Sequence, residues 1–218
     1  TQLEQFREEV YEQFLNCADA SMDLLDALTA NTTARSVVEL SLNGPFRRSY
    51  GSVYTAITGF FQPAPLQETE AERRANNQKL TRLFAPYLPV PVQRPFWLFG
   101  LDVTPAPRPF ARTLADRSFV YQPNTIWGNK PIAIGHHYTT LALLPEKEGS
   151  KAPPWIVPVS TRRVDSAKSG TQVGVEQVAD VFCDETLPFA KDLCVQVGDG
   201  AYSQVPFLGP ISHMHLNH

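Results

Sequence analysis

Cysteine is scarce in this chain. Cys17, Cys183 and Cys194 are the only three in 218 residues, and no pair has Cys-x-x-Cys spacing. A scattered, odd-numbered set excludes a disulfide framework and points to a reducing, cytoplasmic compartment. No apolar run approaches the roughly 18 residues of a membrane span, and no charged-then-apolar leader opens the chain, so no membrane partner is expected. A Gly-rich phosphate loop and a local Ser/His/Asp signature are both missing. Charge is modest at 19% of residues against 43% hydrophobic, which excludes a disordered chain and gives a chain of this length a sizeable core.

What is present begins with Trp97-Leu98-Phe99-Gly100-Leu101-Asp102-Val103-Thr104, an apolar run that closes on one acid. Leu193-Cys194-Val195-Gln196-Val197-Gly198-Asp199-Gly200 repeats the design about a hundred residues later. Short apolar runs of this kind read as buried strands. Burying a carboxylate at a strand end is costly unless it is paired or binds a metal. Two such strands in one domain can bring Asp102 and Asp199 together at one cation site. Two simpler readings stay open: an Asp-Gly turn at Asp199, and a capping acid before Thr104-Pro105 at Asp102.

Net charge is distributed unevenly along the chain. Residues 1–43 carry −6, residues 44–95 and 96–168 carry +4 each, and residues 169–218 carry −5. A basic middle suits a phosphate backbone as partner, and a solvated mixed-charge surface is the alternative. Periodicity predicts helices over about 2–30, 34–42, 50–61 and 68–84. The prolines between Pro86 and Pro95 exclude helix and place a domain boundary there, with a helical domain over 1–90 and an α/β domain over 91–218. In the second domain strands are expected over 96–103, 131–144 and 156–164, a helix over 174–189 and a fourth strand over 193–197. Residues 105–128 read as loop.

The order strand, strand, strand, helix, strand, with acids at Asp102 and Asp199, is that of ribonuclease H-like nucleotidyl transferases. Phe99-Gly100-Leu101-Asp102-Val103-Thr104-Pro105, Tyr121-Gln122-Pro123, Gly135-His136-His137-Tyr138 and Val197-Gly198-Asp199-Gly200-Ala201-Tyr202-Ser203 resemble bacterial insertion-sequence transposases of the DDE superfamily. That resemblance covers about residues 97–210. It implies an α/β fold with a ribonuclease H-like mixed sheet, preceded by an all-α N-terminal DNA-binding domain. It also implies metal-dependent DNA strand cleavage and transfer, with Asp102 and Asp199 as catalytic residues and ligands for Mg²⁺, or Mn²⁺ as substitute. The implied partner is DNA in a nucleoid-associated cytoplasmic protein, and a homodimer is compatible. The family's third acid is expected on a helix well after Asp199. The nineteen residues that follow Asp199 contain no Glu, so the βββαβ core is expected to be incomplete. A catalytically inactive, transposase-derived DNA-binding or regulatory protein is the main alternative.

The expected phosphate contacts are Arg47 and Arg48 before the third predicted helix, with Arg108, Arg112, Arg117, Lys130, Arg162 and Arg163 around the strands. Trp127 could stack on a base or fill core. His213, His215 and His218 have a spacing that could bind Zn²⁺, which leaves a metallohydrolase as a third reading. His136 and His137 must point to opposite faces of their strand, so at most one of them faces the site.

Overall fold

A left-handed residue interrupts the first predicted helix. Cys17 adopts φ 53°, so residues 2–30 form two helices instead of one, α1 (Gln2–Tyr11) and α2 (Ala18–Thr29). Arg7 grips the Asp26 carboxylate with both terminal nitrogens, the second at 2.9 Å, and ties α1 to α2. Ser36 caps the short α3 (Val37–Leu40), and α4 (Tyr50–Phe60) and α5 (Glu70–Phe84) follow. Ala27, Leu40, Phe46 and Val53 close a small core between these helices.

The computed structural model describes residues 1–14, 16–60, 69–111, 113–121, 131–147, 149, 151–212, 214, 216 and 217. They group into two compact units, Thr1–Asn76 and Asn77–His218. The division falls inside α5, ahead of the expected boundary at residue 90. The reason is local: Thr81 donates to the Val159 carbonyl at 3.0 Å, and Ala85 and Leu88 join the core of the second unit. Glu146 then fixes the proline-rich segment by accepting from the backbone N–H groups of Val92, Gln93 and Arg94 at 2.7–3.0 Å. Among the described residues no helix is long and apolar enough to cross a membrane.

The second unit is a mixed α/β structure around one six-stranded sheet. Its strands are β1 (Trp97–Pro107), β2 (Ser118–Tyr121), β3 (Ile132–Leu143), β4 (Val157–Val164), β5 (Cys194–Gly198) and β6 (Leu216–Asn217). They lie in the order β2-β3-β1-β5-β6, with β4 also on β3. β3 runs antiparallel to β1, β2 and β4, whereas β5 is parallel to β1 and β6 is parallel to β5. Between β4 and β5 lies α6 (Gly170–Phe182), and between β5 and β6 lies α7 (Val205–Ile211). The sheet therefore has a strand inside the segment read as loop and another beyond the expected last strand. Both are short, four and two residues, which leaves too few positions for a period to register.

β1 explains how prolines sit in a strand. Its odd-numbered N–H groups face β5, as Trp97 N does toward the Leu193 carbonyl at 2.9 Å. Pairing with β5 stops at Leu101, so Pro105 and Pro107 lack a donor only where that edge is open. Trp97, Phe99 and Leu101 alternate inward, each no more than 2% exposed. Phe99 meets Phe182 and Phe189 edge-to-face with ring centroids at 4.9 and 5.0 Å, and this aromatic group locks α6 onto the sheet. The α6 helix ends at Phe182 because the Asp184 carboxylate turns the chain by accepting from Thr186 N at 3.1 Å and Thr186 Oγ1 at 2.6 Å.

Asp184 is buried and also takes Arg82 Nε at 2.7 Å. Burial opposes its charge, but Arg82 and the Thr186 donors outweigh burial and hold the carboxyl below its usual range. The folded pKa is therefore lower than the unfolded one. The resulting stability is present above about pH 4 and is lost as pH falls through the lowered value. Asp184→Asn should lower stability by about 1–3 kcal/mol at neutral pH. Urea melts at pH 7 and pH 3 should show the difference from the parent narrowing in acid.

Candidate active site

The parallel pair β1/β5 ends at Leu101 opposite Gly198, and the next residue of each strand is an acid, Asp102 and Asp199. Carboxyl ends of parallel strands are where ligands enter open α/β sheets. Asp102 and Asp199 line one cleft of about 390 Å³ with His137, Lys168, Gly170 and Tyr202. Neither acid is buried, which corrects the expectation of a buried carboxylate. Strand alternation turns Asp102 away from the core that Leu101 enters, and Asp199 lies just past the end of β5. Solvent thus lets two negative charges stand together at little cost.

The two carboxylates are held differently. Asp199 Oδ1 caps the 3-10 turn Gly200–Ser203 by accepting from Ala201 N at 2.9 Å. The turn role and a role in the cleft are therefore compatible, because its second oxygen is left for the cleft. Asp102 faces Thr140 across the β1/β3 pair, and its carboxylate takes no hydrogen bond among the described residues. Both acids present oxygen ligands of the kind hard divalent cations take. Among the described residues no group of three His, Cys, Asp or Glu side chains forms.

The start of α6 also lines the cleft. Ser169 and Gln172 form a reciprocal capping box: Ser169 Oγ accepts from Gln172 N at 3.2 Å, and Gln172 Oε1 accepts from Ser169 N at 2.8 Å. This is why α6 begins at Gly170, ahead of the residue 174 that periodicity suggests. Gly170 also lets the helix approach β1, since a Cβ there would lie 2.6 Å from Val103 Cγ2. Lys168 Nζ sits between both oxygens of Glu176 at 2.9 and 3.1 Å. His137 Nδ1 lies 3.4 Å from Ser118 Oγ in the cleft, while His136 turns away to the Ala115 carbonyl at 2.9 Å. Tyr202 is 5% exposed; burial first, then Asp102 and Asp199, push its phenol well above the ordinary range.

The expected phosphate contacts have different fates. Arg162 is paired with Asp180 at 2.6 Å with both side chains under 10% exposed, so its charge is spent inside the fold. Arg163 pairs with Asp116 and Asp165 at 3.1 and 3.0 Å. In the first unit, Arg47 and Arg48 hold the buried Asp23 at 3.3 and 2.9 Å. Arg108 and Arg117 are exposed on the segment between β1 and β2. Arg112, Trp127, Lys130, His213, His215 and His218 lie outside the described residues. The sequence reading did not single out Gly170, Thr171 or Ser118. The Ser169-x-x-Gln172 box was the one legible sign of the first two.

A mixed sheet with two acids just past the parallel β1/β5 pairing, both lining one cleft, defines an α/β protein with an acidic cleft. The family model for the DDE superfamily endonucleases matches residues 9–217, and the chain belongs to that family. No curated protein and no solved structure matches it.

The contact at Gly170 makes a direct prediction. On an open helix Gly→Ala gains up to about 1 kcal/mol. Here Gly170→Ala should instead cost about 1–3 kcal/mol, because Val103 is β-branched and cannot swing aside. Adding Val103→Ala should recover part of that loss in a double-mutant cycle read by urea denaturation.

Proposed function

We propose that this chain is a DNA endonuclease of the transposase kind, cutting and joining strands at the Asp102/Asp199 cleft. The observation that carries this reading is the pair of carboxylates at successive positions of the β1/β5 register, both open to one cleft. Membership of the endonuclease family supports DNA as substrate. The strand order β4-β3-β1-β5-β6, three antiparallel strands followed by two reached through helices, supports a ribonuclease H-like core. The helices of the first unit suit an N-terminal DNA-binding region.

The donor set fits Mg²⁺ or Mn²⁺. The Asp102 carboxylate is without a hydrogen bond among the described residues, and Asp199 keeps one oxygen for the cleft. Mg²⁺ keeps several waters and needs few protein carboxylates. When bound, such a cation supplies Lewis-acid polarisation of the phosphate and a more acidic water. The chain's own share is to hold the two carboxylates on rigid strands, and to position the phosphodiester so that an attacking hydroxyl lies in line with the leaving 3′ oxygen. Arg108 and Arg117 would position flanking phosphates without reading sequence.

Supercoiled plasmid incubated with Mg²⁺ or Mn²⁺ tests the reading. Asp102→Asn and Asp199→Asn should each reduce nicking by about a thousandfold or more, because an amide is a poor ligand for a hard cation. Thermal stability should hold or rise, since two like charges become one. Nicking that survives both substitutions defeats the proposal. Because no third acid joins the pair among the described residues, a DNA-binding protein without cleavage is the second reading. It predicts duplex binding with no metal-dependent nicking.

A further inference from the structure

We infer that the corner of the cleft between the start of α6 and Tyr202 is a subsite for a phosphodiester of the strand that Asp102 and Asp199 engage. This rests on the proposed DNA-cleaving function and assigns the residues that seat the strand. Three donors point to it. Gly170 and Thr171 are the first two residues of a 13-residue helix, and their N–H groups have no acceptor among the described residues. The Ser169 cap takes the Gln172 N–H and leaves these two to the cleft. The third donor is the Tyr202 hydroxyl, buried and without a hydrogen-bond partner.

Two glycines make room for that ring. The Tyr202 ring passes between Gly198, where a Cβ would lie 3.0 Å from Tyr202 Cβ, and Gly174, where a Cβ would lie 3.2 Å from Cε1. It thereby packs between the end of β5 and the first turns of α6, and Tyr202 lines the cleft together with Gly170 and Thr171. An unpaired buried donor is costly and asks for an acceptor. A phenol is a hydrogen-bond donor at neutral pH. Convergent N–H and O–H groups at the positive end of a helix suit tetrahedral phosphate oxygens. The steric demand at Gly170 fits the same purpose, since it brings the helix start against β1 beside Asp102.

The acids sharpen the prediction. Asp102 and Asp199 repel a bare anion, so a divalent cation between them should strengthen phosphate binding, and phosphate should strengthen cation binding by the same factor. Lys168 also lines the cleft from the segment before α6 and is held by Glu176.

The test uses amide NMR of the full 218-residue chain. The thymidine dinucleotide TpT, with a single phosphodiester, is added in Mg²⁺, and free thymidine serves as control. The Gly170 and Thr171 amides should shift saturably with TpT and not with thymidine. Tyr202→Phe keeps the ring and should weaken TpT about three- to tenfold while leaving thermal stability unchanged or higher. Thr171→Pro removes one N–H at a position where proline is tolerated and should weaken TpT similarly. Unmoved Gly170 and Thr171 amides, or equal affinity in Tyr202→Phe and the parent, overturn the subsite. A Mn²⁺ titration separates the two levels of the argument. Broadening centred on Asp102 and Asp199 without a TpT response defeats the subsite and spares the cleavage reading. A TpT response without Mn²⁺ broadening keeps the subsite and defeats the cation reading.

Discussion

The pairing of β1 with β5 is the constraint on which the second unit depends. A parallel register has no freedom at its end: with Leu101 opposite Gly198, the following acids must emerge side by side. A one-residue slip of either strand would exchange its two faces and send an acid toward the core. The register is held by the inward row Trp97, Phe99 and Leu101, and by Phe189 and Phe182 packed over it. Trp97 Nε1 adds a directional anchor on Asp192 at 2.9 Å, just before β5 begins. Core packing and site geometry are thus one requirement, met by the same strand.

Electrostatics at the strand ends follow from where solvent reaches. Two carboxylates in a dry interior would force one of them to stay protonated. Exposed at a cleft, both present their oxygens to an incoming cation. The positive end of α6 lines the same cleft, and Gly170 sets how near it comes to β1. Acids and a helix start thus share one cleft and offer it charge of both signs. An incoming phosphodiester can offer its oxygens to the helix while its reacting bond lies toward the acids.

The elements long enough to show a period were legible in the sequence, and those defined by a single dihedral or a close contact were not. β1 and β5 announce themselves as apolar runs and β3 by apolar alternation, and the acid that closes the apolar part of β1 and the one that follows β5 stand out against them. By contrast, the α1/α2 break rests on Cys17 at a positive φ, and apolar spacing runs through that break unaltered. Apolar spacing begins only at Gly174 and Val175, four residues after α6 starts; Gly170 and Gly174 are there because side chains of β1 and Tyr202 occupy the space a Cβ would need. β2 and β6 are pairing events of a few residues. Asp102 and Asp199 were visible as residue types in a pattern. Tyr202 was visible only as part of a motif, because its significance lies in burial and in a missing partner.

Charge counted along the chain also misleads about where attraction for a phosphate backbone resides. Acids outside the basic middle segments neutralise part of their excess: Asp184 takes Arg82, Asp180 takes Arg162 and Glu176 takes Lys168. In the first two of these pairs at least one side chain is under 10% exposed, and such pairs lose more if broken than a surface contact gains if formed. They are therefore poor candidates to release their charge to an arriving strand. The attraction that remains must come from exposed residues such as Arg108 and from oriented backbone dipoles, whose charge cannot be neutralised by a neighbour without filling the cleft. That shifts the expected basis of recognition from net charge to placement, and makes a helix start beside two acids more informative than a count of lysines and arginines.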